Sequence, residues 1–478
     1  MITSRRAWLA LSVLLVGSAM SLLNSTIVNV ALPTIRTSLN TSDAALAWIV
    51  SGWALAFGLS LIPAGRLGDR VGHKWIFFTG VLLFTLSSIA CGMAQNETQL
   101  IVFRVIQGFA GGLFFSTVTV YIQLLFAGRA RGIAFGIMGA VIGVASAIGP
   151  LLGGVLIQAA GDDYGWRLVF DINVPLGVIA LIGALVFVPN NIGARATHRG
   201  LDLPGLALLS AALVGILVPL IEGQGQGWPL WTWLSAIAGL LLLVLFAWWE
   251  HRTDTRGRLA LVPPRLFRHP AFSAGSVLAL LFFAAFVSIF YILALLWQSG
   301  LGFSALATGL LSVPFAVGNI AGASFSGNLA RALGRSVLLI GTAAVAGGLG
   351  WISIVLLVQA PSTLNGWELA VPLFIAGIGS GLFIAPNTQF IVATVSPSET
   401  GAASAVTATM QRLGTAMGLA LVATVFYGLL AANTGSPTRA YATSSAAAIG
   451  ICAALAAISF FLVFALPRRE RREPSAGK

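Results

Sequence analysis

Arginine 104 sits within an apolar run, and few side chains nearby could answer its charge. The chain has only fourteen Asp and Glu residues. Each falls in a connection or within a turn or two of the end of an apolar run. Glu222 and Glu368 come closest to the runs, and none is at a run's centre. Four scattered histidines give no metal-ligand spacing, and Cys91 and Cys452 both lie inside apolar runs. No nucleophile–base pair or phosphate-cradling loop is present, so an enzyme is not expected and no cofactor is called for. The chemistry on offer is of another kind. A cation in an apolar helix costs at least ~2.5–3.5 kcal/mol to insert. It needs a carboxylate, carbonyl dipoles or a wet cavity, unless its side chain reaches back to the interface. Arg412, in QRLGTAMG, is a second such cation, either structural or at an interface between halves.

The other charged cluster is GRLGDRVGHK, residues 65–74, between two apolar runs of about 20 residues. It holds Arg66, Asp69, Arg70, His73 and Lys74, with Gly65, Gly68 and Gly72 to let the chain turn. Asp69 and Arg70 could pair, cap helix ends or bridge to a neighbour and so latch one state; a plain charged turn is the alternative.

These residues need long apolar helices to position them. The chain has 478 residues, is 58% hydrophobic and 8% charged, and has a mean hydropathy of +0.94. Ordinary globular domains carry about 25% charged residues, so this is an all-α integral membrane protein. The runs lack period-2 alternation, which excludes a β-barrel. Fourteen runs are long enough to span: 8–32, 45–64, 75–94, 100–126, 132–159 and 167–188, then 203–221 and 230–249, then six more between 272 and 466. The first run is too long for a signal peptide's apolar core and is read as retained.

With the amino terminus inside, 21 of the 26 Lys and Arg fall on the cytoplasmic side, three fall outside and two lie within spans. That bias predicts both termini in the cytoplasm. It also accounts for the +12 net charge without nucleic acid. The divisions expected are a six-helix bundle over 1–190, a linker with an inserted helix pair over 191–250, a basic loop over 251–271, and a second six-helix bundle with its tail over 272–478. The two sixes echo each other. GNLARALGRS, 327–336, stands where GRLGDRVGHK stands in the first, with Ala330 in the place of Asp69. Repeated halves point to a site at their interface near the midplane.

Several segments resemble the major facilitator superfamily, in its 14-helix drug:proton antiporter branch. GRLGDRVGHK is similar to that superfamily's signature loop. LIVFRVIQGFAGG, 100–112, resembles its fourth-helix motif, with Arg104, Gln107 and Gly108 in place. GVASAIGPLLGG, 143–154, is similar to its fifth-helix antiporter motif through Gly143, Gly149, Pro150, Gly153 and Gly154. WRLVFDINVPLG, 166–177, and DLPG, 202–205, resemble segments of the 14-helix branch. The resemblance implies a monomer of two bundles in a bacterial inner membrane. Such a protein would export amphipathic small molecules by alternating access with protons as coupling ion. Gly65, Arg66, Asp69, Arg70, Gly72, Lys74 and Arg104 would then gate or couple.

One departure matters. LLNSTIVNVALPTI, 22–35, resembles the family's first-helix motif, in which an aspartate usually stands where this chain has Asn24. An amide does not titrate near neutral pH, which favours an uncoupled facilitator as the second reading; a non-transporting sensor is a third. Asn24, Asn29, Trp53, Gln107, Gln123, Tyr291, Gln298, Asn319 and Asn387 are the polar or aromatic residues within runs. Asn24 with Arg104 is expected to set the polarity of an apolar, aromatic cavity.

Overall fold

A computed structural model describes residues 5–126, 128–190, 202–223, 226–256, 260–262, 264–360, 364–392, 395, 400–433 and 435–466. Among them all regular structure is helical. The first half contains α1 (Arg5–Leu39), α2 (Asp43–Val71), α3 (His73–Gly92), α4 (Glu97–Leu125) and α5 (Gly128–Ala160). It ends with α6 (Asp162–Asp171) and α7 (Asn173–Phe187), which differ by a one-residue break at Ile172. An inserted pair follows, α8 (Leu203–Glu222) and α9 (Leu230–Thr255). The second half is α10 (Pro270–Ala294), α11 (Ala305–Leu333), α12 (Ser336–Val358), α13 (Ala370–Val392), α14 (Thr400–Ala432) and α15 (Pro437–Leu462).

Twelve of these stretches are long and apolar enough to cross a membrane, with α6 and α7 counting as one. That differs from the fourteen expected. Within the described residues the apolar stretches of α5 and α8 are Ile148–Ala160 and Leu203–Pro219. The helices themselves, α5 at 33 residues and α8 at 20, are long enough for ~30 Å of hydrocarbon.

The halves repeat in their packing. In the first, α2 and α3 pack on α4, while α1 packs on α5 and α7. In the second, α11 and α12 pack on α13, while α10 packs on α14 and α15. Close approaches repeat residue by residue. A methyl added to Gly108 of α4 would stand 2.3 Å from the Trp53 carbonyl oxygen, and one on Gly112 would stand 2.5 Å from that of Phe57. In α13 the same role falls to Gly377 against Phe315 (2.1 Å) and Gly381 against Asn319 (2.2 Å). Small residues spaced by four let the two backbones touch.

The turns also match. Gly72 closes α2 at φ 104° with its N–H on the Gly68 carbonyl, and Gly334 closes α11 at φ 57° with its N–H on the Ala330 carbonyl. Positive φ at both explains the glycines. The paired caps keep the register of the two ten-residue segments, 65–74 and 327–336, in which Ala330 is the counterpart of Gly68, and Arg331, not Ala330, that of Asp69.

Basic side chains fasten the third helix of each half to the last. Lys74, buried at the start of α3, donates to the Leu185 carbonyl near the end of α7 (3.0 Å); Arg335, before α12, donates to the Phe464 and Leu466 carbonyls past α15. At the opposite ends of the same pairs, Arg167 donates to the Gly92 and Ala94 carbonyls (2.6 and 2.7 Å), and Arg439 to those of Gln359 and Leu357 (both 3.0 Å). Each cation meets the unsatisfied carbonyls and negative dipole end of a helix carboxyl terminus. These links define two ends of the bundle. The basic end carries the α2–α3 and α11–α12 turns; the far end carries the α3–α4 and α12–α13 connections.

Where the halves meet, α2 lies on α14 and α5 on α11. Gly154 approaches the Ala305 carbonyl (2.6 Å to an added methyl) and Gly309 approaches that of Pro150 (2.7 Å). The inserted pair packs on itself and against α14 and α2. Most of α9 is exposed and apolar, from Leu230 to Trp248, as a lipid-facing helix should be.

Candidate functional site

Asn96 caps α4 by accepting the Gln99 N–H (2.9 Å). Arg104 follows seven residues into the helix, about 10 Å along its axis. Its side chain is wholly buried in protein and does not reach back to an interface. Nε donates to the Ile49 carbonyl of α2 (2.9 Å) and Nη1 to Gln107 Oε1 (2.7 Å). A helical carbonyl has a second lone pair for such a donor. The guanidinium also lies 5.1 Å from the Trp53 ring centroid and 5.9 Å from that of Phe170, a favourable placing for a cation.

Gln107 is the junction of the network. Its Oε1 accepts from Arg104 and from Asn24 Nδ2 (3.1 Å), and its Nε2 donates to Ser88 Oγ of α3 (2.6 Å). Asn24 Oδ1 accepts from Asn173 Nδ2 at the start of α7 (3.3 Å). Four helices are thus tied by amides around one cation, with no carboxylate among the described residues paired to it. Asn24 and Arg104 do come together, through Gln107. They do so in a fully buried core of the first half. Ser88 and Asn173 were not singled out in the sequence. Asn173 was visible in WRLVFDINVPLG, whereas Ser88 looked like one small residue among others.

The remaining residues are spread out. Asn29 bonds the Ser25 carbonyl of its own helix (3.3 Å). Tyr291 meets Tyr427, hydroxyl to hydroxyl, at 3.0 Å between α10 and α14. Asn387 donates to the Gly275 carbonyl (3.2 Å) and Asn319 to Ser380 (3.0 Å), both inside the second half. Gln298 crosses between halves: it lies in a π-helical turn, Leu295–Gly300, and donates to the Val30 carbonyl of α1 (3.0 Å). Gln123 is half-buried on α4, towards the basic end.

In the fifth helix, Gly149 and Gly153 face Thr26 and Ile27 of α1, while Pro150 and Gly154 face α11. One flank holds the half together and the other meets the opposite half. The helix runs unbroken through Pro150. Gly143 belongs to the same helix, and its surroundings lie outside the described residues. In the signature loop Gly65 is open, Gly72 makes the turn, Arg70 is exposed and Lys74 is engaged as above. The Arg66 and Asp69 side chains lie outside the described residues.

One acid at the end of a run is buried. Glu250, at the basic end of α9, is 2% exposed and accepts the Val262 N–H (2.8 Å). Beside it Asp202 accepts Trp249 Nε1 (2.9 Å) and caps α8 at Gly205. These contacts fasten the basic loop to the inserted pair.

The family model described as Major Facilitator Superfamily matches residues 14–209 and 194–419. The chain belongs to that superfamily. It is 35% identical over 426 residues to the probable actinorhodin transporter of Streptomyces coelicolor, covering 89% of this chain and 73% of the relative. It is 31% identical over 474 residues to the puromycin resistance protein of Streptomyces alboniger, covering 96% and 92%. A solved D-xylose–proton symporter superposes with a TM-score of 0.68 at 14% identity, covering 96% of this chain and 98% of that one. At that identity the likeness concerns the fold. Family and neighbours are membrane transporters, and the chain is a transporter rather than an enzyme.

Proposed function

We propose that this transporter exports amphipathic small molecules from a bacterial cytoplasm across the inner membrane. The halves would rock about the α2–α14 and α5–α11 seams, with proton antiport as the driving force. The carrying observation is the seam itself. Two internally clasped, repeated halves meet through glycine-lined backbone contacts at Gly154 and Gly309. Among the described residues few side-chain hydrogen bonds cross, such as those from Gln298, Ser51 and Thr409, to break when the halves part. The named relatives, a probable actinorhodin transporter and a puromycin resistance protein, support export of organic compounds.

In this reading fourteen spans cross the bilayer, α5 and α8 included, with the basic end cytoplasmic as the Lys and Arg bias requires. A monomer suffices. Asp69 is the acid of the gating loop. Arg70 beside it is exposed and free to change partner, and Arg66 completes the basic pair.

Asn24 favours a second reading, a facilitator without protons, because the amide is committed to Gln107 and Asn173 and carries no titratable proton. Proteoliposomes loaded with a fluorescent amphipathic dye decide between them when dye and internal pH are followed together under an imposed pH gradient. Coupled dye and proton fluxes are expected. Dye flux indifferent to the gradient would establish the facilitator, and dye flux no faster than in protein-free vesicles would remove export.

A further inference from the structure

The two intramembrane arginines differ in one respect. Arg104 has protein acceptors. Arg412, on α14 at the seam and 8% exposed, has no hydrogen-bond or ion-pair partner among the described residues. Its stem crosses α2 at Gly58, where an added methyl would stand 3.0 Å from its Cβ. Its guanidinium is then boxed by rings from the opposite half: Phe57 at 4.2 Å, Trp53 at 5.7 Å and Phe115 at 5.8 Å. Aromatic faces offset part of a buried cation's cost but accept none of its five N–H groups in the plane of the fork.

Trp53 supplies an independent second observation. It is 1% exposed, and its Nε1–H also lacks an acceptor. The ring stands between two cations, with Arg104 at 5.1 Å and Arg412 at 5.7 Å. The buried Trp53 N–H and the unpaired Arg412 guanidinium thus belong to the same aromatic cluster, and no described carboxylate pairs with either arginine. A buried donor goes unpaired only at a cost, which Trp53 Nε1 bears, and the Arg412 guanidinium beside it has no protein acceptor among the described residues.

We propose that Arg412 and Trp53 Nε1 form an anion subsite at the seam. It takes the carboxylate or sulfonate of an aromatic amphiphile, with Phe57 and Phe115 against the rings. The proposal rests on the export reading and names its substrate class: acidic aromatic amphiphiles. Because the cation comes from α14 and the rings from α2 and α4, the ligand would bridge both halves, and their separation would release it.

The test uses the full chain in phosphatidylcholine nanodiscs, with radiolabelled 1-anilinonaphthalene-8-sulfonate and its uncharged parent, N-phenyl-1-naphthylamine. The unaltered protein is expected to bind both, the sulfonate more tightly. Arg412→Gln should weaken sulfonate binding about tenfold or more and leave the parent unchanged. Arg412→Lys, which keeps the charge, should fall between, and Trp53→Phe, which removes only the N–H, should weaken the sulfonate alone by about threefold. Equal losses for both probes, or none, in the folded variants would overturn the subsite. Binding of the parent but not the sulfonate by the unaltered protein would overturn it while leaving export standing. Binding of neither would overturn both.

Discussion

The two halves share a frame and differ in what fills it. Gly108 and Gly112 bring α4 against α2 as Gly377 and Gly381 bring α13 against α11. In that register the counterparts of Arg104 and Gln107 are Leu373 and Ala376, both fully buried. The first half therefore ties its helices with amides around a cation. The second relies more on ring contacts, with Phe282 stacked on Phe383 at 4.0 Å and Phe290 edge-on to Phe315 at 5.0 Å, beside a tyrosine pair and separate ties from Asn319 and Asn387. Polar ties inside a membrane protein fix one arrangement, because a broken tie strands a buried group. Aromatic packing tolerates small sliding. The comparison teaches that the glycine frame is shared, while the amide network around a buried cation is an addition found in the first half.

The largest effects should come where the halves agree. Gly108→Val and Gly377→Val each drive a side chain into a backbone carbonyl, at a cost of about 3 kcal/mol or more. Both should abolish the monodisperse folded protein in size-exclusion chromatography. Survival of either would break the claim of a shared frame. Next comes the difference between halves. Gln107→Leu strands Arg104, Asn24 and Ser88 together and should lower stability by about 3 kcal/mol, read as a fall in the thermal unfolding midpoint in detergent. Its counterpart, Tyr427→Phe, removes one hydroxyl contact and should cost about 1 kcal/mol. Equal falls would mean that the amide network is no more than ordinary packing. The smallest effect belongs to Arg70→Gln: this exposed residue should leave the midpoint within about 0.5 kcal/mol while slowing dye export. An unchanged export rate would leave Arg70 a charged turn.

Much of the frame was legible because membrane physics writes it plainly. Apolar runs mark helices, basic connections mark one side, and glycines four apart mark close crossings. Arg104, Gln107 and Asn24 stood out as polar residues where hydrocarbon was expected. Their association through Gln107 did not, since which helices face one another is a tertiary fact. Ser88 and Asn173 were missed for the same reason. The echo between halves and its register were legible from the glycines at the first and eighth positions of each segment, which set Arg331, not Ala330, opposite Asp69. QRLGTAMG marked Arg412 as a second cation within a run, but its lack of partners depends on what α2 and α4 place around it. Lys74 read as part of a gate, yet its ammonium is held by the end of α7.

The central claim is that two internally clasped halves move against each other. Met93, Tyr164 and Trp367 are exposed at the far end, and the native Cys91 and Cys452 are buried away from labelling reagents. Spin labels at 93 and 367 span the halves; labels at 93 and 164 stay within the first, whose ends Arg167 joins. Pulsed dipolar distances with and without an amphipathic dye make the test. The distribution between 93 and 367 should shift, while that between 93 and 164 holds still. A shift within the first half, with the distance across the seam unchanged, would contradict the account.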